Sequence, residues 1–533
     1  PLTASEWSHI VAQAGWYHGL INRPCCIIMQ QGRFFIFTHY YRRTTVVEAV
    51  RVGLFTAGLT TSKELIIMPN SKKWRSVQLP EALLVLLIML AIMGLGVIKF
   101  GLSPQTPVIL VIALIILWAR IRGAHWDDIH GGIIDGIKTG IIPIFIFLLI
   151  GALISVWIAA GIIPSMMVFG FHLISAQWFV PSVFLVCAII GTSIGSAFTI
   201  ISTIGIALFG IGTTMGINPA LIAGAIISGA IFGDKTSPLS DSTNLAAAIA
   251  EADLFDHIRN LMWSTIPAFV VSLVLYVVLG AGAATQSHLG KIQTTLTVLN
   301  NNFTISWWAA LPLVVMFACA LLKIPAIATL LMNIGLAIVM IFIEQPHIAL
   351  TKIATMIETG FVAKTGNAGV DALLSRGGIS AMMSTVSLIL LTLSLGGLLM
   401  KFNLIQTAMV PLTKRLKGAG ATVTAAILAG IGVNIFVGEQ YLSVILPGKA
   451  FKTTFNQRGL ANLALSRVLE DGGTVINYLI PWGVAGAFAA NTLGVSTLAY
   501  LPFCFFSLLS PVFSIISGFT GWGLKHQPAN EAG

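Results

Sequence analysis

The run "ALLVLLIMLAIMGLGVI", residues 82–98, decides the fold. It carries no charged or strongly polar side chain, so a helix built from it is apolar on every face and belongs in lipid or a deep core. A helix needs about 20 such residues to cross the hydrocarbon of a bilayer. A second run, "PVILVIALIILWA", starts at Pro107, and comparable stretches recur along most of the chain. The composition agrees: of 533 residues, 56% are hydrophobic and only 9% charged, with a mean hydropathy of +0.92. Soluble domains carry about 25% charged residues. A β-barrel would alternate polar and apolar residues in short segments, which these runs do not. The fold class is therefore an all-α polytopic membrane protein.

The net charge of +10 does not indicate nucleic acid, because the basic residues are spread over loops with no basic, aromatic-laced face. They report topology instead. Lys72, Lys73 and Arg75 precede the first run, and Lys414, Arg415 and Lys417 follow a later one, which places both loops in the cytoplasm. Cys187, Cys319 and Cys504 lie in apolar runs as small core residues; Cys25 and Cys26 form no metal or disulfide framework.

Residues 1–67 differ from the rest, being aromatic and basic in patches without a long apolar run. Met68 is followed by "PNSKKWRSVQLPEALLVLL", a short basic lead into a first helix. The expectation is that residues 1–67 stand outside the folded protein, as an over-extended reading frame or a disordered segment.

From Leu79 onward about 11–13 membrane segments are expected, the clearest near 81–98, 105–121, 138–161, 263–280, 306–322, 325–343, 380–400 and 498–517. Two further runs are interrupted, by "GTSIGSAFTIISTIG" from Gly191 and by "GIGVNIFVGEQYLS" from Gly430. Glycine and hydroxyls loosen a helix there, and irregular backbone at membrane depth must line a cavity or be buried in protein. The interruptions come in the same order in each half. This predicts two inverted repeats, 68–300 and 301–523, with broken or re-entrant helices at the midplane and a C-terminal tail over 524–533. In the register suggested by the acidic blocks, Asp241 lies opposite Asp471.

The polar segment "GDKTSPLSDSTN", residues 233–244, closes an apolar run. A carboxylate near the bilayer core is costly and calls for a partner or a function, which singles out Asp234, Asp241, Glu439, Glu470 and Asp471. Asp234 and Lys235 also fit an interfacial cap. Asp241, among Ser240, Ser242, Thr243 and Asn244, fits a helix cap and a set of oxygens for a small hard cation. Burial favours the protonated carboxyl and a bound cation the ionised one, so a proton and a sodium ion compete for the same group. That competition is the basis of antiport. The chain holds no G-x-x-x-x-G-K-[ST] loop to couple transport to ATP.

The blocks "GDKTSPLSDSTNLA", "DLFDHIRNLMWSTIPA", "GEQYLSVILPGKAF", "SRVLEDGGTVINYLIPW" and "NTLGVSTLAYLPFCFFSLLSP", in this order, resemble the NhaC family of Na+/H+ antiporters over about 79–523. The resemblance implies Na+ and H+ as transported ions, a bacterial cytoplasmic membrane, no cofactor and no catalytic chemistry. The family also includes malate/lactate exchangers and members assigned to amino acids, so a small organic solute is the alternative cargo. The family's acidic blocks fall on Gly233, Asp234, Lys235, Ser237, Pro238, Leu239, Ser240, Asp241, Thr243 and Asn244, and on Glu470, Asp471, Gly473 and Thr474. Glu439, where many members carry Asp, and Gly472, where they carry Ser, depart from the pattern.

Asp241 and Asp471 are expected as the principal cation and proton carriers, with Na+ held transiently by these two, Thr243 and Asn244. Asp234, Glu439 and Glu470 follow. Thr192, Ser193, Ser196, Ser237, Ser240, Asn434 and Thr474 supply neutral oxygens or a solute path, and Asn244, Asn434 and Asn477 would suit an organic carboxylate at half-helix ends. Two other classes fit poorly. "GTSIG" (191–195) matches a nucleophile elbow with Ser193, yet lies between membrane runs with His172 as its nearest base. A channel would show a filter-like repeat. His257 reads as a surface residue. The oligomeric state is left open, a homodimer being one option.

Overall fold

The computed structural model describes residues 25–30, 33–38, 77–173, 178–281, 289–322, 324–414 and 416–527. The start at Met68, the Lys72, Lys73, Arg75 cluster, Arg415 and the end of the tail lie outside the described residues. The chain forms two units, Pro1–Arg75 and Ser76–Gly533. Of the first, only an antiparallel hairpin of Cys25–Gln30 and Arg33–Thr38 is described, with Cys25 opposite Thr38.

The second unit is helical apart from one isolated bridge, Leu460 to His526, among its described residues. Among the described residues six helices are long and apolar enough to span a membrane: Leu79–Lys99, Ile141–Ala159, Leu254–Ala281, Ala326–Glu344, Ile379–Lys401 and Gly418–Val437. Three bent pairs join them, among them Asn462–Leu479 with Val484–Leu493 and Thr497–Phe503 with Phe505–Thr520. Gln105–Ile121, Phe179–Ile194 and Ile204–Thr214 are shorter apolar helices. The first helix shows what the solvent is. Ala82, Val85, Leu86 and Met89 are buried, while Leu84 and Leu87 on its other side are 58% and 63% exposed. An exposed apolar face of this kind is tolerable only against lipid.

Small residues allow close helix approach. Gly136 on Trp126–Thr139 has no room for a Cβ, which would lie 2.1 Å from the Leu393 carbonyl oxygen, and Gly397 is equally tight against Gly132. This is small-residue packing of membrane helices.

The halves repeat at a constant spacing of 243 residues. Phe179–Ile194 stops at left-handed Gly195 (φ 72°) and restarts from the N-cap Ser196; Gly418–Val437 stops at Gly438 (φ 72°) and restarts from the N-cap Glu439. The next helices start after the caps Asn218 and Ala461. The following ones start after Ser240 and Gly483, and end at left-handed Glu251 and Gly494. Every pair has the same offset. It corrects the register expected from sequence: Asp241 lies opposite Val484, and Asp471 opposite Ser228. The acidic blocks look alike, but caps and left-handed turns are what recur. One difference matters: Asn462–Leu479 contains a π-helical turn at Glu470–Thr474, where Pro219–Thr236 is regular.

Candidate functional site

Pro219–Thr236 carries Asp234 and Lys235 at its end, and its neighbour in space is the broken helix Phe179–Ile194. The contact depends on two glycines: a Cβ on Gly233 would lie 2.4 Å from the Gly191 backbone. Thr192 Oγ1 then meets Thr236 Oγ1 at 2.9 Å. The chain turns at Ser237, whose hydroxyl accepts from the Leu239 N–H, and re-enters a helix at Asp241. The N-cap is Ser240, accepting from the Thr243 N–H at 3.4 Å. This corrects the expectation that Asp241 is the cap; it is the first helical residue, and it is exposed.

Lys235 is no interfacial cap either. Its Nζ lies 2.5 Å from Asp471 Oδ1, with the side chains 1% and 0% exposed. Ser264 donates to Asp471 Oδ2 at 2.8 Å and Ser510 to Oδ1 at 2.5 Å. Lys235 Nζ also donates to Ser510 Oγ at 2.8 Å and faces the Phe506 ring at 5.8 Å. Each charge has its opposite and both carboxylate oxygens are satisfied, the condition for burying an ion pair. Among the described residues no hydrogen bond or ion pair links Asp471 to Asp241, Thr243 or Asn244; its partners are Lys235, Ser264 and Ser510.

A second group forms one residue away. The π-turn re-aims Glu470, which is 0% exposed, and such turns often mark functional positions. Its Oε2 accepts from the Thr474 hydroxyl, and the Thr243 hydroxyl also faces the carboxyl. Among the described residues Oε1 has no hydrogen-bond partner. Thr243 Oγ1 lies 3.3 Å from the carbonyl oxygens of both Asp234 and Lys235. The Ser240 and Ser242 hydroxyls, 3.0 Å apart, face the Asp234 carboxyl. Around Thr243, then, stand two backbone carbonyls and a carboxylate; the Asp234 carbonyl also accepts from the Ser237 N–H at 3.3 Å, and the carboxylate from Thr474. An excess of oxygen acceptors in a buried place suits a small hard cation. Among the described residues no three His, Cys, Asp or Glu side chains form a metal-binding group, so any such site depends on carbonyls and hydroxyls as well as acid.

The remaining residues hold the frame. Glu439 caps Gln440–Gln457, accepting from the Leu442 N–H at 2.9 Å. Ser196 does the same for Ala197–Ser202, accepting from the Thr199 N–H. Asn434 donates to the Gly473 carbonyl at 2.5 Å and accepts from Asn477 at 2.7 Å, while Asn477 accepts from the Ala485 N–H. Asn244, exposed, donates to the carbonyls of Pro238 and Ser240. Ser193 bonds back to the Ile189 carbonyl within its own helix, which leaves no strand-to-helix elbow for a nucleophile.

Sequence reasoning missed Ser264, Ser510, Arg467 and His257. His257 is fully buried, against the surface position expected, with Nδ1 2.7 Å from Ser466 Oγ. A signal existed: in Phe505–Thr520 the serines 507, 510, 514 and 517 recur at helical spacing, a polar stripe on an otherwise apolar helix.

A family model described as the Na+/H+ antiporter family matches residues 229–522. The chain is 42% identical to the Na+/H+ antiporter NhaC of Alkalihalophilus pseudofirmus, over 85% of this chain and 98% of that protein. It is 38% identical to the Na+/H+ antiporter NhaC of Bacillus subtilis, over 83% and 97%. It is 36% identical to the arginine/ornithine antiporter ArcD of Halobacterium salinarum, over 85% and 94%.

Proposed function

Because the chain belongs to the Na+/H+ antiporter family, we propose that it exchanges cytoplasmic Na+ for external H+ by alternating access, as a multi-pass protein of a bacterial cytoplasmic membrane without catalytic chemistry. The observation that carries this is Glu470: fully buried, set on a π-turn, one oxygen without a partner among the described residues, and facing Thr243 beside the Asp234 and Lys235 carbonyls. Sodium is bound by the ionised Glu470 together with those neutral oxygens, and a proton replaces it when the carboxyl is protonated. The two cargoes exclude one another, and each loaded form stabilises the states between which access alternates. Asp234 supports the site, and exposed Asp241 receives the ion at its mouth. Asp471 acts as the fixed partner of Lys235. Glu439 serves as a cap.

The recurrence of breaks at constant spacing supports the reading of two repeats, 68–300 and 301–523, meeting at this site. Inverted orientation would bring both broken helices to the midplane.

An organic solute is the second reading, since a relative is named for arginine and ornithine. Against it, the amides of Asn244, Asn434 and Asn477 are spent on backbone and on each other. The test is sodium-induced proton flux in proteoliposomes containing no organic solute. Flux supports ion antiport; silence relieved only by malate, lactate or an amino acid supports the organic exchanger.

A further inference from the structure

Three helices, Leu254–Ala281, Asn462–Leu469 and Phe505–Thr520, enclose polar groups that the ion site does not use. His257 Nε2, Asn260 Oδ1, Arg467 Nε and Ser514 Oγ are all buried and, among the described residues, have no hydrogen-bond partner. They follow helical spacing toward one point. His257, Asn260 and Ser264 lie on one stripe, and Ser264 bonds Asp471. Ser517, Ser514 and Ser510 lie on another, Ser517 accepting from Arg467 Nη2 at 2.7 Å and Ser510 bonding Asp471. Arg467, on the third helix, is one turn before Asp471, on the π-turn that continues it. At the other end the stripes reach a cavity of about 660 Å³ lined by Asp256, Arg259, Asn260, Trp263, Trp522 and Lys525.

The sidedness follows from neighbours. The Ala461 N–H bonds the Lys525 carbonyl, and Arg458 donates to the Leu416 carbonyl beside Lys417. The cavity therefore opens on the face of the loop that carries Lys417, the cytoplasmic one.

We propose that a file of water runs from this cavity along His257, Asn260, Arg467 and Ser514 to the Lys235–Asp471 pair. Buried polar atoms are almost always hydrogen-bonded, and buried water is the usual partner where protein offers none. Four such atoms on converging helical stripes, beginning at a cavity that Asn260 itself lines, describe a wet path rather than four separate defects. It approaches Asp471 from the side of Ser264 and Ser510, whereas Glu470 faces Thr243. The path hydrates the ion pair from the cytoplasm by a route distinct from the mouth at Asp241. Its use for delivering protons rests on the antiport reading; the water file does not.

The experiment uses the full chain in proteoliposomes, with its five cysteines replaced and Ser514→Cys introduced. A charged, membrane-impermeant methanethiosulfonate reagent is applied from the cytoplasmic face. Such reagents need a hydrated thiolate, so Ser514→Cys should react about tenfold faster than Ser272→Cys. Ser272 is equally buried, but its hydroxyl is bonded to the Ala268 carbonyl. Equal, slow rates would overturn the proposal. Hydroxyl-radical footprinting of the unsubstituted protein gives a second reading free of any folding defect: His257 should be oxidised well ahead of buried Tyr276, and protection of both would overturn the path. Both readouts register water and not ion flux, so a protein that fails to exchange sodium for protons bears on the antiport reading alone.

Discussion

Lys235 and Asp471, 236 residues apart, meet at 2.5 Å where neither side chain is more than 1% exposed. Lys235 belongs to the first half and Asp471 to the second, so one ion pair joins the two. Removing one partner of a buried pair strands a charge, at a cost of about 3–5 kcal/mol. Asp471→Asn and Lys235→Met should each lower the unfolding midpoint in detergent markedly. The double variant Lys235→Met with Asp471→Leu should lie nearer the wild type than either single change, because no charge is stranded. A double variant as unstable as the sum of the singles would show that the two do not act as a pair.

Thr243 is the hydroxyl at which the candidate cation oxygens meet. Thr243→Val keeps its shape and loses its oxygen. Losing one ligand or hydrogen bond of about 1–1.5 kcal/mol predicts a rise of roughly tenfold in the sodium concentration for half-maximal exchange. Thr243→Ser should restore it. An unchanged sodium dependence in Thr243→Val would place the ion elsewhere.

The two left-handed glycines at the broken helices should not respond alike to alanine. Both incur about 1–2 kcal/mol for a Cβ in that conformation. At Gly195 the Cβ would also lie 2.7 Å from Ser237 Oγ and 2.9 Å from Leu239, whereas at Gly438 the nearest atom is 3.1 Å away. Gly195→Ala should therefore be the more destabilising in thermal unfolding. Gly432→Ala, with nothing within 4 Å of the added Cβ, should be neutral or stabilising by up to about 1 kcal/mol.

Glu439 separates a cap from a carrier. Glu439→Ala loses the bond to the Leu442 N–H and should cost about 1 kcal/mol. Glu439→Gln keeps an acceptor oxygen and should retain both stability and sodium-induced proton flux. Loss of flux in folded Glu439→Gln would make Glu439 part of the ion path.

The membrane class was legible because apolar runs such as 82–98 admit one physical reading. The breaks at Gly195 and Gly438 were legible too, since glycine and hydroxyls in an apolar run have few other uses. Pairings across the fold were not. The partner of Lys235 is decided by which faces of Pro219–Thr236 and Asn462–Leu479 meet, which no local spacing encodes. Asp241 drew attention as the most ligand-like acid in its segment, yet it is exposed, while the π-turn that directs Glu470 inward leaves no sequence signature beyond "EDGGT". His257 reads as a surface residue in "DLFDHIRN", but helix Leu254–Ala281 extends through it and turns it inward.

The competition of sodium and protons for Glu470 carries the proposed antiport. Its most direct test is sodium-induced proton flux in proteoliposomes free of organic solute, comparing the wild type with Glu470→Gln and Glu470→Asp. Exchange should be robust in the wild type, absent in a folded Glu470→Gln, and present with altered sodium dependence in Glu470→Asp. Exchange by Glu470→Gln at the wild-type rate would contradict that competition.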